Sequence, residues 1–142
     1  MASRTHPRVA CTLLVAYALL LAVILLWPTS TVQAGLVTDL VRALARLGVP
    51  SSTATFTRAE VVMNAVIIAP ITFLGSLVLP RLRWQDWTAY ALLGATAVEL
   101  FQGVALPHRQ ASFSDIVANS LGAALGALAA LWWHRRYVRA RT

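Results

Sequence analysis

The chain has 142 residues, about the length of one ordinary domain. It is 58% apolar and 12% charged, with a mean hydropathy of +0.69, whereas soluble globular domains are roughly 45–50% apolar and about 25% charged. Its 12 basic residues outnumber the 5 acidic ones, which gives a net charge of +7. This composition excludes an ordinary soluble enzyme, and the single cysteine excludes an internal disulfide framework.

Four apolar runs are long enough to cross a bilayer, because a hydrocarbon core about 30 Å thick needs about 20 helical residues. The sequence therefore predicts an all-α integral membrane protein, a single domain over residues 1–142. Its expected spans cover residues 9–27, 61–79, 87–106 and 113–133, followed by a basic tail at 134–142. The first run also resembles a signal peptide, but signal cores have about 7–15 residues and this run has 19, which favours a retained helix.

The positions of the arginines predict the orientation in the membrane. An even number of spans places both termini on one side. The termini and the loop at residues 80–86 hold eight arginines, whereas the opposite connections hold four. By the positive-inside bias, we expect a multi-pass plasma-membrane protein with both termini in the cytoplasm. Tryptophans beside these arginines, at positions 84, 87, 132 and 133, are typical of membrane interfaces, so no nucleic-acid partner is expected.

The connection between the first two spans contains a second kind of helix. Apolar side chains recur there at helical spacing, at Leu36, Val37, Leu40, Val41, Leu44 and Leu47. Gly48 and Pro50 would end this helix. The pattern predicts a short external amphipathic helix, which either lies on the membrane surface or caps the helix bundle. Just before the second span, residues 57–60 have the spacing of a capping box.

Six polar residues in and between the last three spans form the candidate ligand-binding site. They are Asn64, Glu99, Gln102, Arg109, Asp115 and Asn119. Ionisable side chains inside a span are costly and usually face the protein interior or water. The helical rise places the five in the spans in the outer half of the membrane, with Arg109 in the connection above them. We therefore predict an outward-opening polar pocket in which Arg109 offsets one or both carboxylates; the alternative is a set of structural hydrogen bonds between helices.

Gly122 and Gly126 continue the face of the fourth span that carries the predicted polar pair. Small residues at this spacing let another helix approach closely. Pro70 removes one backbone hydrogen bond and would kink the second span. His6 and His134 are expected on the cytoplasmic side, far from His108, so neither a metal nor a cofactor is expected.

The order of these polar and small residues resembles a known family pattern. The string is Glu60-x-x-x-Asn64, Pro70, Glu99-x-x-Gln102, Arg109 and Asp115-x-x-x-Asn119-x-x-Gly122-x-x-x-Gly126. It resembles the VanZ-like family of small bacterial membrane proteins, named for a member associated with resistance to the glycopeptide teicoplanin. That family usually has an aromatic residue before the proline and a glycine two residues after it, where this chain has Ala69 and Thr72. The resemblance implies a four-helix membrane protein without implying a reaction.

Three functional hypotheses follow. In the first, the pocket binds a cell-envelope or lipophilic ligand, such as a membrane lipid, a lipid-linked headgroup or an acylated glycopeptide, which would make the protein a binding or resistance factor. In the second, Glu99 and Asp115 are the acid and base of a membrane-embedded hydrolase or transferase; the missing nucleophile and metal ligands disfavour it. In the third, the protein is a structural subunit of a membrane complex or a homo-oligomer, with the glycines at its interface.

Overall fold

The structure, a computed structural model, describes residues 5–26, 31–105 and 112–138. The described residues form five helices and contain no strand. The helices are α1 (Thr5–Leu26), α2 (Thr31–Arg46), α3 (Phe56–Val78), α4 (Trp84–Ala105) and α5 (Phe113–Trp133), and a π-helical turn (His134–Val138) continues α5. The all-α fold is confirmed, with an additional helix between the first two long ones.

Two helical stretches, Phe56–Val78 and Phe113–Arg136, are long and apolar enough to cross a membrane by length and composition. The apolar part of α1, Arg8–Ile24, is shorter. The helix α4 is 22 residues long but includes the acidic residues Asp86 and Glu99, which lower its hydropathy. The number of spans therefore stays a prediction.

The centre of the bundle is the contact between α3 and α5. Helix α4 packs on α5, while α1 and α2 pack on α3. The buried face of α5 consists of small residues, namely Ala118, Gly122, Ala123, Gly126, Ala127 and Ala130. Large apolar side chains point outward instead; Leu19, Leu93 and Leu125 are each more than half exposed. Small residues inside and large apolar ones outside are typical of helices that pack in a lipid solvent.

The glycines of α5 allow its backbone to touch that of α3. A methyl group on Gly122 would overlap the carbonyl oxygen of Ala65 and lie 2.7 Å from its Cα. At Gly126 it would overlap the carbonyl oxygen of Ala69 and the hydroxyl of Thr72. The glycine stripe is therefore covered by α3 of the same chain, which leaves no room for another subunit on it.

Helix α3 continues through Pro70 without a break. Proline has no N–H to donate to the carbonyl of Val66, four residues earlier. The hydroxyl of Tyr17, on α1, donates a 2.7 Å hydrogen bond to the neighbouring carbonyl of Ile67. This bond attaches α1 to α3 about one turn before the proline.

The beginning of α3 differs from the expected capping box. The N-cap is Thr55, whose hydroxyl accepts a hydrogen bond from the backbone N–H of Arg58 at 3.4 Å. The prediction of a box at residues 57–60 is wrong, because the helix begins at Phe56, one residue before the expected cap. Glu60 therefore lies more than one turn inside α3, where its side chain faces the bundle.

Trp87 packs against a neighbouring helix, and its expected position at the membrane interface stays a prediction. Its ring packs against Gly75 of α3, where an added methyl group would lie 2.7 Å from the ring atom Cζ2. Its Nε1 is buried and has no hydrogen-bond partner among the described residues. Van der Waals packing therefore holds the ring of Trp87 against α3. Trp132, in contrast, is exposed, and the centre of its ring lies 5.1 Å from the guanidinium carbon of Arg136.

The α3–α5 contact makes a direct prediction about stability. Gly122→Leu and Gly126→Leu should each lower the yield of folded protein or its melting temperature, because a bulky side chain must separate two touching backbones. Overpacking typically costs about 1–3 kcal/mol even where neighbours are side chains. Size-exclusion profiles and thermal melts in detergent measure the effect. Leu121→Val, on the exposed face of α5, is the control, and two glycine variants that melt like the wild type would contradict the packing described here.

Candidate functional site

A small polar cavity lies at one end of the bundle, under α2. Its volume is about 80 Å³, which is room for a few water molecules or one small chemical group. All five helices contribute to its lining. The polar lining residues are Gln33, Glu60, Asn64, Glu99, Gln102, Asp115 and Asn119.

The structure brings together five of the six residues expected at the site. They come from three helices: Asn64 from α3, the pair on α4, and the pair on α5. Arg109 lies outside the described residues. The five described side chains line one cavity. That they bind a ligand stays a prediction.

Glu99 connects two helices at the edge of the cavity. Its carboxyl group is buried, with 6% of the residue exposed, and its Oε2 accepts a 2.7 Å hydrogen bond from the backbone N–H of Ser112. Ser112 is the N-cap of α5 and provides no side-chain cap of its own. The Glu99 carboxyl group therefore satisfies an N–H at the start of α5 and fixes the end of α4 against it.

Two of the amide side chains in the cavity form no hydrogen bond to another helix. The side chains of Asn64 and Asn119 line the cavity and form no hydrogen bond with any other residue in the described part of the chain. Glu60 likewise lines the cavity without a hydrogen bond to a described residue. Interhelical hydrogen bonding, the structural alternative for such residues, does not account for these three side chains.

Helix α2 covers the cavity. Gln33, Leu36 and Val37 line it, and Val37 is 4% exposed. The side-chain amide of Gln33 donates a long, 3.4 Å hydrogen bond to the carbonyl of Ile24, near the end of α1. Of the two placements that the sequence left open, the structure therefore has α2 as a cap on the bundle.

Two polar residues that line the cavity, Gln33 and Glu60, are absent from the set of site residues predicted from the sequence. The expected amphipathic run began at Leu36, but α2 begins at Thr31 and so includes Gln33. Glu60 was interpreted as a helix cap because of its spacing from Thr57. Its position four residues before Asn64, on the same helix face, is the signal that could have identified it.

The cavity is rich in hydrogen-bond acceptors. Three carboxyl groups and four side-chain amides line it, and none of the described lining residues is basic. Carboxylates only accept hydrogen bonds, whereas amides accept and donate. Among the described residues, no group of three or more His, Cys, Asp or Glu side chains could hold a metal ion. The arrangement therefore suits a small group with hydrogen-bond donors.

No curated protein and no solved structure matches this chain. A family model, described as VanZ/LLP1, matches residues 14–134. The matched range contains α2, α3, α4 and α5 in full and every residue that lines the cavity. The chain therefore belongs to the VanZ/LLP1 family, the VanZ-like family that its residue pattern resembles.

Proposed function

We propose that this protein is a multi-pass plasma-membrane binding protein whose cavity under α2 receives the small polar head of a cell-envelope ligand. The observation that carries the proposal is the set of three polar side chains, Glu60, Asn64 and Asn119, that line the cavity without a described hydrogen-bond partner. All three side chains are half-buried and none has a fully buried polar atom, so a molecule that enters the cavity can reach them. A ligand that donates hydrogen bonds to these side chains would stabilise the complex by satisfying them.

The size of the cavity limits what enters it. Sites for whole small molecules usually have about 300–1,000 Å³, whereas this cavity has about 80 Å³. The cavity therefore takes one group, such as an ammonium or a hydroxyl-bearing part of a headgroup. A lipid-linked envelope molecule or an acylated glycopeptide such as teicoplanin would insert that group and keep the rest of its mass outside. A role in teicoplanin resistance would follow from this capture.

The proposed topology has four spans and cytoplasmic termini, which places the cavity at the outer membrane surface. The residues that line the cavity lie at the end of α4 and near the starts of α3 and α5, so a single side of the bundle carries them together with α2. Charged and polar side chains are better tolerated there than at the bilayer centre. This arrangement supports access from the cell envelope.

Cysteine labelling tests the topology. In a Cys11→Ser background, which removes the exposed native thiol, Ser52→Cys should react with a membrane-impermeant maleimide on intact cells. Gln85→Cys should react only after the membrane is opened, because it lies in the first turn of α4, next to the arginine-rich connection that the positive-inside bias retains in the cytoplasm. The reverse labelling pattern would invert the topology and place the cavity on the cytoplasmic side.

Replacing the two amides tests the binding site. Asn64→Leu and Asn119→Leu, singly and together, should remove most of the envelope molecule that co-purifies with the protein, by about tenfold or more, since a 1.4 kcal/mol loss of binding free energy is a factor of ten. Quantitative mass spectrometry of extracts from purified protein measures this. Melting temperature should stay within about 2 °C of wild type or rise, because no described hydrogen bond is lost and 1 kcal/mol corresponds to about 2–4 °C at this size.

The matched control is Thr96→Val, which removes a hydroxyl that bonds only the Leu92 carbonyl of its own helix at 2.8 Å. This variant should keep the co-purified molecule. A lower melting temperature in the asparagine variants together with unchanged co-purification would instead identify the amides as structural and contradict the proposal.

A further inference from the structure

A second hollow adjoins the polar cavity and has the opposite chemistry. It is a cleft of about 270 Å³ between α3 and α4, which both pack on α5. On the α4 side its lining comprises Trp87, Tyr90, Ala91, Gly94, Ala95 and Val98. From Trp87 to Val98 the helical rise amounts to about 17 Å. The cleft is therefore a long, mainly apolar groove along α4 that is open on one side.

The groove and the polar cavity are adjacent and share part of their walls. Ile68, Val98 and Asn119 line both hollows. The cavity lies at the end of the bundle that α2 covers, and the groove runs from there toward the other end, where Trp87 packs against Gly75 and forms its end wall. A molecule bound in both would place a polar group near the end of the bundle and an apolar extension toward its middle.

The hollow shape of the groove comes from small residues on α4. Ala91, Gly94 and Ala95 line the groove, lie on one face of α4, and have side chains no larger than a methyl group. A methyl group on Gly94 would meet no atom within 4 Å, in contrast to Gly122 and Gly126, whose missing side chains make room for a neighbouring helix. Close packing of the chain on itself therefore does not explain the glycine at position 94.

We infer that the α3–α4 groove binds the hydrocarbon chain of the molecule whose polar head occupies the cavity, so that the ligand is a membrane amphiphile. This inference rests on the proposed function for the head-binding half. The bound molecule would have its head at one end of the bundle and its chain toward the bilayer centre. A lipid in one leaflet of the membrane has the same orientation. The bilayer is as apolar as the groove, so van der Waals contact with the groove walls, rather than transfer out of water, would hold the chain.

The test uses the full-length protein in nanodiscs and a defined probe, phosphatidylethanolamine with a photoactivatable diazirine in one acyl chain. Its ammonium head supplies hydrogen-bond donors for the carboxyl groups and amide oxygens of the cavity. After illumination, label should concentrate on the less exposed groove residues Ala91 and Ala95 rather than on Leu93, which is on the exposed face of α4. Unlabelled lipid should compete the label away.

Gly94→Phe should lower groove labelling at least about fivefold, because its Cβ would meet no atom within 4 Å and its ring would occupy groove space. Ala97→Phe is the matched control, because Ala97 is exposed and does not line the groove. Melts of both variants verify that they fold. Equal labelling of the groove and of Leu93, or labelling unaffected by Gly94→Phe, would overturn the inference.

Two further results separate this inference from the proposed function. If Gly94→Phe abolishes groove labelling while Asn64→Leu and Asn119→Leu leave it unchanged, the groove binds a chain and the head cavity does not bind its head. If the asparagine variants lose the co-purified molecule while Gly94→Phe retains both it and the label, the proposed function stands and the groove inference is wrong. Efficient disulfide crosslinking of a Gly94→Cys variant to a second copy would also overturn it, by identifying a partner helix in the groove.

Discussion

The backbone contact between α3 and α5 is the constraint on which the rest of the structure depends. Between helices in lipid, association relies on van der Waals packing, which is strongest where two backbones touch. Gly122 against Ala65 and Gly126 against Ala69 provide that contact. Asn64 immediately precedes Ala65, and Asn119 lies three residues before Gly122. The contact that fixes the two helices therefore also brings the two amides to the same cavity.

The polar chemistry is concentrated at one end of this central pair. Glu99 anchors the N-terminus of α5 through the N–H of Ser112, and α2 covers the cavity with Val37 buried beneath it. Polar side chains are costly at the centre of a bilayer and less so near its surface. A cavity at the end of the bundle can therefore keep acceptor groups available without exposing them to lipid.

The cavity and the groove offer two different kinds of surface to a ligand of the proposed type. The cavity offers hydrogen-bond acceptors in about 80 Å³, and the groove offers apolar surface along about 17 Å of α4. Neither hollow alone has the size and composition expected of a drug-sized binding site. The chain belongs to the VanZ/LLP1 family, and the proposed amphiphilic ligand would contact both hollows.

The sequence by itself determined the four long helices, the additional helix between the first two, and most of the polar site. These features are local, because hydropathy over about 20 residues indicates a long apolar helix and because few side chains as polar as Glu99 or Asp115 are tolerated in one. Only the tertiary structure decided that α2 caps the bundle, that Glu60 and Gln33 join the cavity, and that the ring of Trp87 packs against Gly75. Those outcomes depend on which helix faces meet. Interhelical packing decides this through contacts between residues far apart in sequence, such as Gly122 with Ala65, and no local pattern specifies such contacts.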